Sequence, residues 1–399
     1  MIRPANDHNV VMRTCLVYAT VFAWSGLNQP YFPIWLAEHG ITEPQIAIIL
    51  SLPLFMRLLI TPVLGRIADA SPDRTRLVRI MTVAGFAMSL VLWRATGFWP
   101  ILICYVLMMI PLQNVSPVFD ASALDLVRRG IVRDFGRMRL FGSAGYAVAG
   151  LAGGYILGFG GPSSVFIAFI TAVFCLMLAS FSLPATPVTV RPEAREEKGM
   201  LKRPAVLAMT LASALVLASQ TTFNSFGSLH LRGLGVPDHL IGLFWAIATS
   251  SEILMFWAGP VLSRYLGPVG VVVLAASGAV VRWSLMSTDP GIGLTILLQM
   301  LHAATFSCAH MGLMSFFAVA VSSHRGASSQ AGFVTINSVL TGLVTLAMGP
   351  IYKNVGAGAY LAAAALPAMA LIVLFVFRKA IAAELAARSD VVDRGSQGR

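Results

Sequence analysis

Long apolar stretches fill nearly the whole chain and constrain its fold more than any other feature. Each is close to the ~20 residues that an α-helix needs to cross the hydrocarbon core of a bilayer. Because backbone N–H and C=O groups find no water there and must bond within their own segment, we predict that these stretches are membrane-spanning helices. The twelve predicted spans lie near residues 14–36, 44–66, 77–96, 100–124, 137–160, 163–183, 205–228, 239–262, 270–288, 292–320, 330–352 and 357–378.

The scarcity of charged residues also favours a membrane protein. Asp, Glu, Lys and Arg make up 11% of the 399 residues, and hydrophobic residues make up 57%. A soluble domain has about 25% charged residues. So little charge leaves too little polar surface to cover a water-soluble body, which argues against a cytosolic enzyme, a nucleic-acid-binding module and a disordered regulator. We therefore predict an all-α membrane protein.

The distribution of Lys and Arg predicts the orientation of the spans. If the N-terminus is cytoplasmic, 23 of the 28 basic residues fall on the cytoplasmic side, and only Arg94, Arg232 and Lys353 fall in outer loops. Because basic residues collect in the cytoplasmic loops of membrane proteins, the net charge of +11 needs no nucleic-acid partner to explain it. We expect a multi-pass protein of a bacterial-type inner membrane with both termini in the cytoplasm.

A charged, proline-containing segment near the middle separates two similar halves of the chain. Residues 40–47 align with 235–242, and residues 62–66 align with 260–264, at nearly equal offsets of 195 and 198 residues. Six-helix repeats with a binding site at their interface are typical of one large class of secondary transporter. We predict two pseudo-symmetric six-helix bundles over residues 1–184 and 205–380, a cytoplasmic linker over 185–204 and a cytoplasmic tail over 381–399.

Two ionisable residues lie in the middle of predicted spans of the second half. A charged side chain inside a bilayer is costly and usually faces protein or a water-filled cavity. We predict that Glu252, in the eighth span, carries the coupling proton; the alternative is a structural partner for a buried arginine. Arg282, in the ninth span, is the natural ion partner of Glu252, and its planar guanidinium is also suited to binding a solute carboxylate.

Two further charged residues lie in spans of the first half. Arg57 corresponds to Glu252 in the repeat, so we expect a basic group in one half to oppose an acidic group in the other. The alternative is an arginine that extends to the cytoplasmic surface. Asp120 follows an unusually polar stretch of the fourth span. It is predicted either to line the solute path and couple protons or to form a gate salt bridge with Arg137, Arg139 or Arg57.

Two histidines lie in the tenth predicted span. Neutral histidine is tolerated in a membrane and titrates near physiological pH. We predict proton coupling or solute binding for His302 and solute binding for His310; the alternative for both is a hydrogen bond between helices. This span contains no Asp or Glu, so proton coupling would depend on Glu252 or Asp120.

Polar and aromatic residues that interrupt the apolar pattern complete the predicted solute site. Proline and amide side chains near the end of the first span indicate a kinked helix that faces a cavity. Tryptophan offers a surface for an aromatic solute, although aromatic residues in spans more often pack or anchor at the interface. The predicted lining residues are Trp24, Asn28, Gln29, Asn114, Gln220, Asn224 and Trp245.

Several short stretches resemble the major facilitator superfamily. Residues 65–69 (GRIAD), followed by Arg74 and Arg76, resemble its loop signature. Within that superfamily the chain is most similar to the phenylpropionate permease group, which is related to the lactose and nucleoside proton symporters. This second resemblance is carried by residues 31–36 (YFPIWL), 135–145 (FGRMRLFGSAG), 281–283 (VRW) and 301–306 (LHAATF).

The resemblance implies proton-coupled uptake of a small organic solute by alternating access, driven by the proton gradient and without a cofactor. An aromatic or other carboxylate such as phenylpropionate is the preferred solute; the alternatives are sugar or nucleoside symport and efflux of drugs or metabolites by antiport. No lysine follows a glycine, so no phosphate-binding loop indicates a primary pump, and no hydrolase motif indicates an enzyme. We expect a monomer whose partners are the solute and the bilayer. The predicted gating residues are Gly65, Asp69, Arg74, Arg76, Arg137 and Arg139.

Overall fold

The computed structural model of the chain is built almost entirely of helices in the part that it describes, which is residues 7–71, 73–128, 135–184, 203–321 and 326–397. A π-helical turn over Ala303–Ser307 and a 3₁₀ turn over Gly356–Gly358 interrupt the α-helices. The helices are α1 (Asp7–Glu38), α2 (Glu43–Ala70), α3 (Arg74–Arg94), α4 (Phe98–Arg128), α5 (Phe135–Phe181), α6 (Pro204–Ser219), α7 (Thr221–Gly233), α8 (Asp238–Met286), α9 (Ile292–Met300), α10 (Cys308–Ala320), α11 (Gly326–Val355), α12 (Ala359–Val376) and α13 (Arg378–Gln397).

Ten helical segments among the described residues are long and apolar enough to cross a membrane. Two of them, Met138–Phe181 and Ser329–Val376, contain 44 and 48 residues, which at about 20 residues per crossing is enough for two crossings each. The first of these bends at Gly161, whose φ of 71° lies in the left-handed region. The backbone at Gly161 is not helical, so it separates the helices that correspond to the fifth and sixth predicted spans. A total of twelve crossings stays a prediction.

Large apolar side chains are exposed on the outside of these helices. Phe159 of α5 and Trp257 of α8 are 91% and 90% exposed, and many leucines and valines are more than half exposed. A water-soluble monomer rarely exposes large contiguous apolar patches. Together with the ten candidate spans, this surface is that of an integral membrane protein.

The described residues of Met1–Pro192 and Asn224–Ser250 form one compact unit, unit 1. Small residues bring α1 and α5 together in it, because a side chain at Gly145 of α5 would collide with the backbone carbonyl of Ala19 in α1. The Tyr31 hydroxyl of α1 donates a hydrogen bond to the carbonyl oxygen of Gly150 in α5. Close backbone approach of this kind is how helices associate where lipid removes the hydrophobic driving force.

The described residues of Glu193–Phe223 and Ser251–Arg399 form unit 2. The α6 helix is central to it and packs against α10, α11 and α12. Just beyond the C-terminus of α6, the Thr221 hydroxyl lies 2.8 Å from the Thr345 hydroxyl of α11. At its last residue, the Ser219 hydroxyl accepts a hydrogen bond from the Trp283 indole of α8 at 2.8 Å. The same end of α6 therefore holds the part of α8 that carries Arg282.

The C-terminal segment is helical, since residues 378–397 form the helix α13. This helix is tied to the rest of unit 2 by an ion pair between Glu384 and Arg203. Most of the predicted linker, residues 185–202, lies outside the described residues, so the predicted domain boundaries stay predictions.

Candidate functional site

A buried arginine organises a polar cluster inside unit 2. Arg282 of α8 is only 1% exposed. One guanidinium nitrogen, Nη1, donates to the Gln220 side-chain oxygen at 2.7 Å and faces the His302 Nδ1 at 2.8 Å. The other, Nη2, donates to the Gln299 side-chain oxygen at 2.9 Å. These partners are uncharged, and Arg282 forms no direct ion pair with a carboxylate among the described residues.

Aromatic rings enclose the same guanidinium. The centre of the guanidinium lies 4.4 Å from the centre of the Trp283 ring and 5.8 Å from that of Phe223. Trp283 also stacks against Tyr360 of α12, with 6.0 Å between the ring centres. The electron-rich faces of these rings stabilise a desolvated cation, so the arginine can stay buried without an adjacent carboxylate.

His302 lies between Arg282 and Glu252 and contacts both. Its Nε2 is 2.7 Å from the Glu252 carboxylate, and its Nδ1 faces the guanidinium. Because arginine can only donate, Nδ1 must accept, and Nε2 must then carry the ring hydrogen and donate it to the carboxylate. The geometry therefore requires a neutral imidazole that connects a carboxylate to an arginine through two hydrogen bonds.

Glu252 and Arg282 are connected through a third side chain. The sequence predicts Arg282 as the natural ion partner of Glu252, and in the structure the imidazole of His302 stands between the two. His302 lies just before the π-helical turn Ala303–Ser307, and its ring occupies the gap between the two charged groups. We call this chain of three side chains the relay.

Exposure decreases along the relay. The Glu252 side chain is 22% exposed and the His302 side chain 14% exposed, whereas Arg282 is almost fully buried. Glu252 is therefore the most accessible member of the relay. The π-helical turn that follows His302 contributes Thr305, whose hydroxyl donates to the His302 carbonyl at 3.0 Å and lies 3.5 Å from Arg282. Such turns are frequent at functional sites in helices.

A second acid and arginine cluster lies in unit 1. Asp120 of α4 accepts a hydrogen bond from the Tyr18 hydroxyl at 2.6 Å and pairs directly with Arg139 of α5 at 3.3 Å. The Tyr18 ring packs against Phe119 and Phe135. Of the partners considered for Asp120 from the sequence, the structure brings Arg139 to it. The Arg139 side chain is 49% exposed and the Asp120 side chain 23% exposed, so the arginine of this pair is far less buried than Arg282.

The predicted solute-lining residues of the first half form separate polar contacts within unit 1. Trp24 is buried and packs near Phe169. A cavity of about 10 Å³, with room for about one water molecule, lies beside Asn28 and Trp35. Three more predicted residues form side-chain hydrogen bonds. Asn28 donates to Tyr105 at 3.3 Å, Gln29 accepts from Tyr146 at 3.1 Å, and Asn114 accepts from Thr61 at 2.7 Å.

Several other predicted residues lie away from the relay contacts. Trp245 is buried and donates its indole hydrogen to Ser228 at 2.8 Å. The His310 ring lies 6.0 Å from Phe333, and Asn224 is half-buried. Arg57 is also half-buried and has no hydrogen-bonding or ionic partner in the part of unit 1 that the structure describes. Its predicted opposition to Glu252 stays a prediction.

The predicted gating residues lie near the ends of α2, α3 and α5. Gly65 is in the last turns of α2, where a Cβ would meet open space. Asp73 caps α3 by accepting a hydrogen bond from the backbone N–H of Thr75 at 2.9 Å. Arg74 is half-buried and Arg76 is exposed. The side chains of Asp69 and Arg137 lie outside the described part of the chain, so their gating roles stay predictions.

Sequence reasoning missed three residues that contact these clusters. They are Gln299 and Thr305, which surround Arg282, and Tyr18, which contacts Asp120. Gln299 was detectable in principle, because an amide three residues before His302 falls on the same helical face. Tyr18 carried no such signal, since its partner is 102 residues away in the chain.

Comparison with known proteins agrees with this fold. The chain is 25% identical over 385 residues to a probable 3-phenylpropionic acid transporter of Escherichia coli (strain K12), covering 89% of this chain and 95% of that protein. It is 26% identical over 282 residues to a maltose permease of Geobacillus stearothermophilus, covering 69% and 70% of the two chains.

Solved structures show the same architecture. The crystal structure of the nucleoside transporter NupG superposes with a TM-score of 0.79 at 16% identity, covering 93% of this chain and 99% of that one. At that identity the similarity establishes the fold alone. The family described as MFS_1 like matches residues 11–362. The chain therefore belongs to the MFS_1 like family and is an integral membrane protein with the major facilitator transporter fold.

Proposed function

We propose that this protein takes up a small organic acid, an aromatic carboxylate such as 3-phenylpropionate, together with a proton. The observation that carries the proposal is the relay, in which a buried arginine reaches its acid only through a neutral histidine. The similarity to a probable 3-phenylpropionic acid transporter supports the choice of solute. The Phe223 and Trp283 rings beside the guanidinium suit an aromatic group.

The charges of the relay explain how a proton and an acid are coupled. With Glu252 ionised, the positive charge of Arg282 is balanced within the relay. Protonation of Glu252 leaves a net charge of +1 in a site of low dielectric, where an uncompensated charge is costly. Binding of a solute carboxylate restores neutrality. Proton and solute therefore favour each other's binding by the same factor, as linkage requires.

We assign the coupling proton to Glu252 and keep Asp120 as the second candidate. Glu252 is the accessible end of a relay that ends at a buried charge. Asp120 already has a direct ionic partner and a tyrosine donor. Protonation of Asp120 would therefore have to break existing contacts before it changed the charge seen by a solute.

Two other activities use parts of the same site. Symport of a sugar or nucleoside is favoured by the amide groups of Gln220 and Gln299, which suit hydroxyl groups, and by the similarity to a maltose permease. Efflux by proton antiport would use the same relay with the solute moving in the opposite direction. Uptake of an anionic solute explains more simply than either activity why Arg282 has no carboxylate in direct contact.

Alternating access is the proposed mechanism, in which the solute site opens to one side of the membrane at a time. The distribution of basic residues supports an inner-membrane protein with both termini in the cytoplasm. We propose that one monomer is sufficient for transport and that the proton gradient supplies the energy.

The test is uptake of radiolabelled 3-phenylpropionate, lactose and uridine into proteoliposomes with and without an inward proton gradient. We expect the acid alone to accumulate, and only while the gradient lasts. A protonophore and protein-free liposomes are the controls. Accumulation of lactose or uridine instead of the acid would contradict the proposal, as would uptake that ignores the gradient or a gradient-driven loss of preloaded acid.

A further inference from the structure

Three buried N–H donors around Arg282 have no acceptor among the described residues. They are the Arg282 Nε, the Gln220 Nε2 and the Gln299 Nε2. None of the three side chains is more than 3% exposed. Buried donors are normally satisfied, because an unsatisfied one loses its hydrogen bonds to water without replacement. Three such donors in one cluster therefore indicate a missing acceptor.

The orientation of both glutamine amides follows from the arginine. Each uses its oxygen to accept from the guanidinium, Gln220 from Nη1 and Gln299 from Nη2. Turning either amide over would bring its NH₂ group against a guanidinium that can only donate. The amide hydrogens are therefore left as donors beside the positive charge of the guanidinium.

The choice of glutamine at these positions has an electrostatic consequence. A glutamate has nearly the same shape and could accept the same hydrogen bonds, but it would neutralise the guanidinium directly with a charge-assisted pair. Gln220 and Gln299 hold the guanidinium in place through neutral oxygens and leave its charge uncompensated at close range. An anionic acceptor such as a carboxylate satisfies both the charge and the donors.

We infer that Gln220 and Gln299 are specificity-determining residues that reserve the Arg282 guanidinium for the carboxylate of the solute. This inference rests on the proposed function and adds to it the residues that select an acid over its neutral analogue. It predicts that an internal carboxylate at either position competes with the solute for the same arginine.

The experiment measures binding of matched acid and amide pairs to the purified full-length protein in detergent. The probes are 3-phenylpropionate with 3-phenylpropanamide, benzoate with benzamide and lactate with lactamide. Binding of each probe is measured as ligand-dependent thermal stabilisation of the protein. We expect the wild-type protein to bind at least one acid about 30-fold more tightly than its amide. In Gln299→Glu and Gln220→Glu, affinity for that acid falls by a similar factor, while affinity for the amide changes less than about threefold.

The matched control is Gln330→Glu, because Gln330 is exposed on α11 away from these contacts. It should leave the ratio of acid to amide affinity unchanged. Equal binding of acids and amides by the wild-type protein overturns the inference even if both glutamate variants fail to fold. An unchanged ratio in folded Gln299→Glu and Gln220→Glu overturns it as well, and so does binding of none of the acids.

This binding assay separates the inference from the proposed function, because it needs no proton gradient. Acid-selective binding that depends on the two glutamines, together with uptake that ignores the gradient, would overturn proton coupling and support the inference. Gradient-driven uptake of the acid with a ratio that the glutamate variants leave unchanged would overturn the inference and support the proposed function.

Discussion

The two units each contain an acid joined to an arginine, and they join them in opposite ways. In unit 1, Asp120 contacts Arg139 directly, and the arginine is half exposed. In unit 2, His302 separates Glu252 from Arg282, and the arginine is buried. A hydrated pair contributes little to stability, whereas a buried charge must be compensated. The unit 2 cluster is therefore the one in which a change of protonation has large consequences.

The imidazole determines how such a change is transmitted. In a direct pair, protonation of the acid breaks the pair itself. In the relay, protonation of Glu252 removes the balancing charge without touching the guanidinium or its two glutamine contacts. The arginine therefore keeps its position while its affinity for an anion increases. The two acid and arginine clusters thus differ in their exposure and in what lies between the charged groups.

The largest expected difference between the two clusters is in stability. Arg282→Met should lower the free energy of unfolding by about 3–5 kcal/mol, because it leaves a part-buried carboxylate and two amide oxygens without their cation. Arg139→Met should lower it by about 0–1 kcal/mol, because exposed ion pairs contribute little to stability and Arg139 is half exposed. Thermal unfolding of both purified variants, followed by circular dichroism, measures the difference. Equal losses would remove the contrast between the clusters.

A smaller effect tests whether His302 only connects Arg282 to Glu252 or also carries the proton. A glutamine can accept from Arg282 and donate to Glu252 but cannot become charged. We therefore expect His302→Gln to retain gradient-driven uptake within about threefold of wild type. His302→Leu, which can do neither, should lose about 30-fold or more. Initial rates in proteoliposomes measure both variants. If glutamine fails as badly as leucine, the imidazole itself carries the proton.

The smallest expected effect concerns Tyr18. Tyr18→Phe removes one donor to Asp120 but keeps the ring contacts with Phe119 and Phe135. The free energy of unfolding should fall by about 1 kcal/mol, and gradient-driven uptake should change less than about threefold, since Arg139 still pairs with the acid. Unfolding and uptake measurements on the same preparation test this. Loss of uptake from Tyr18→Phe would mean that the unit 1 cluster takes part directly in coupling.

The helical membrane fold was predictable because lipid leaves the backbone few alternatives. Length and apolarity locate most of the helices, and the family match confirms the resemblance to the major facilitator superfamily. The backbone at Gly161 is not helical, and it falls between the fifth and sixth predicted spans. The π-helical turn after His302 was not predicted, because no local sequence pattern indicates it.

The candidate site was predictable in its charged residues and not in its connections. Charge inside a span is rare and costly, so Glu252, Arg282 and His302 stood out from the sequence. The sequence did not show which of the three are in contact, because the two contacts join residues 20 and 50 positions apart. Gln299 was missed since an amide in an apolar span is less conspicuous than a charge. The interposed histidine changes the chemistry from a fixed ion pair to a relay.

The most direct test of proton coupling through Glu252 compares two modes of transport in Glu252→Gln proteoliposomes. One is uptake of 3-phenylpropionate driven by an inward proton gradient, and the other is exchange of labelled for unlabelled solute at equal pH. Because glutamine still accepts from His302 but carries no titratable proton, we expect gradient-driven uptake to be lost and exchange to persist. Loss of both modes to the same degree, or retention of both, would contradict the assignment of the proton to Glu252.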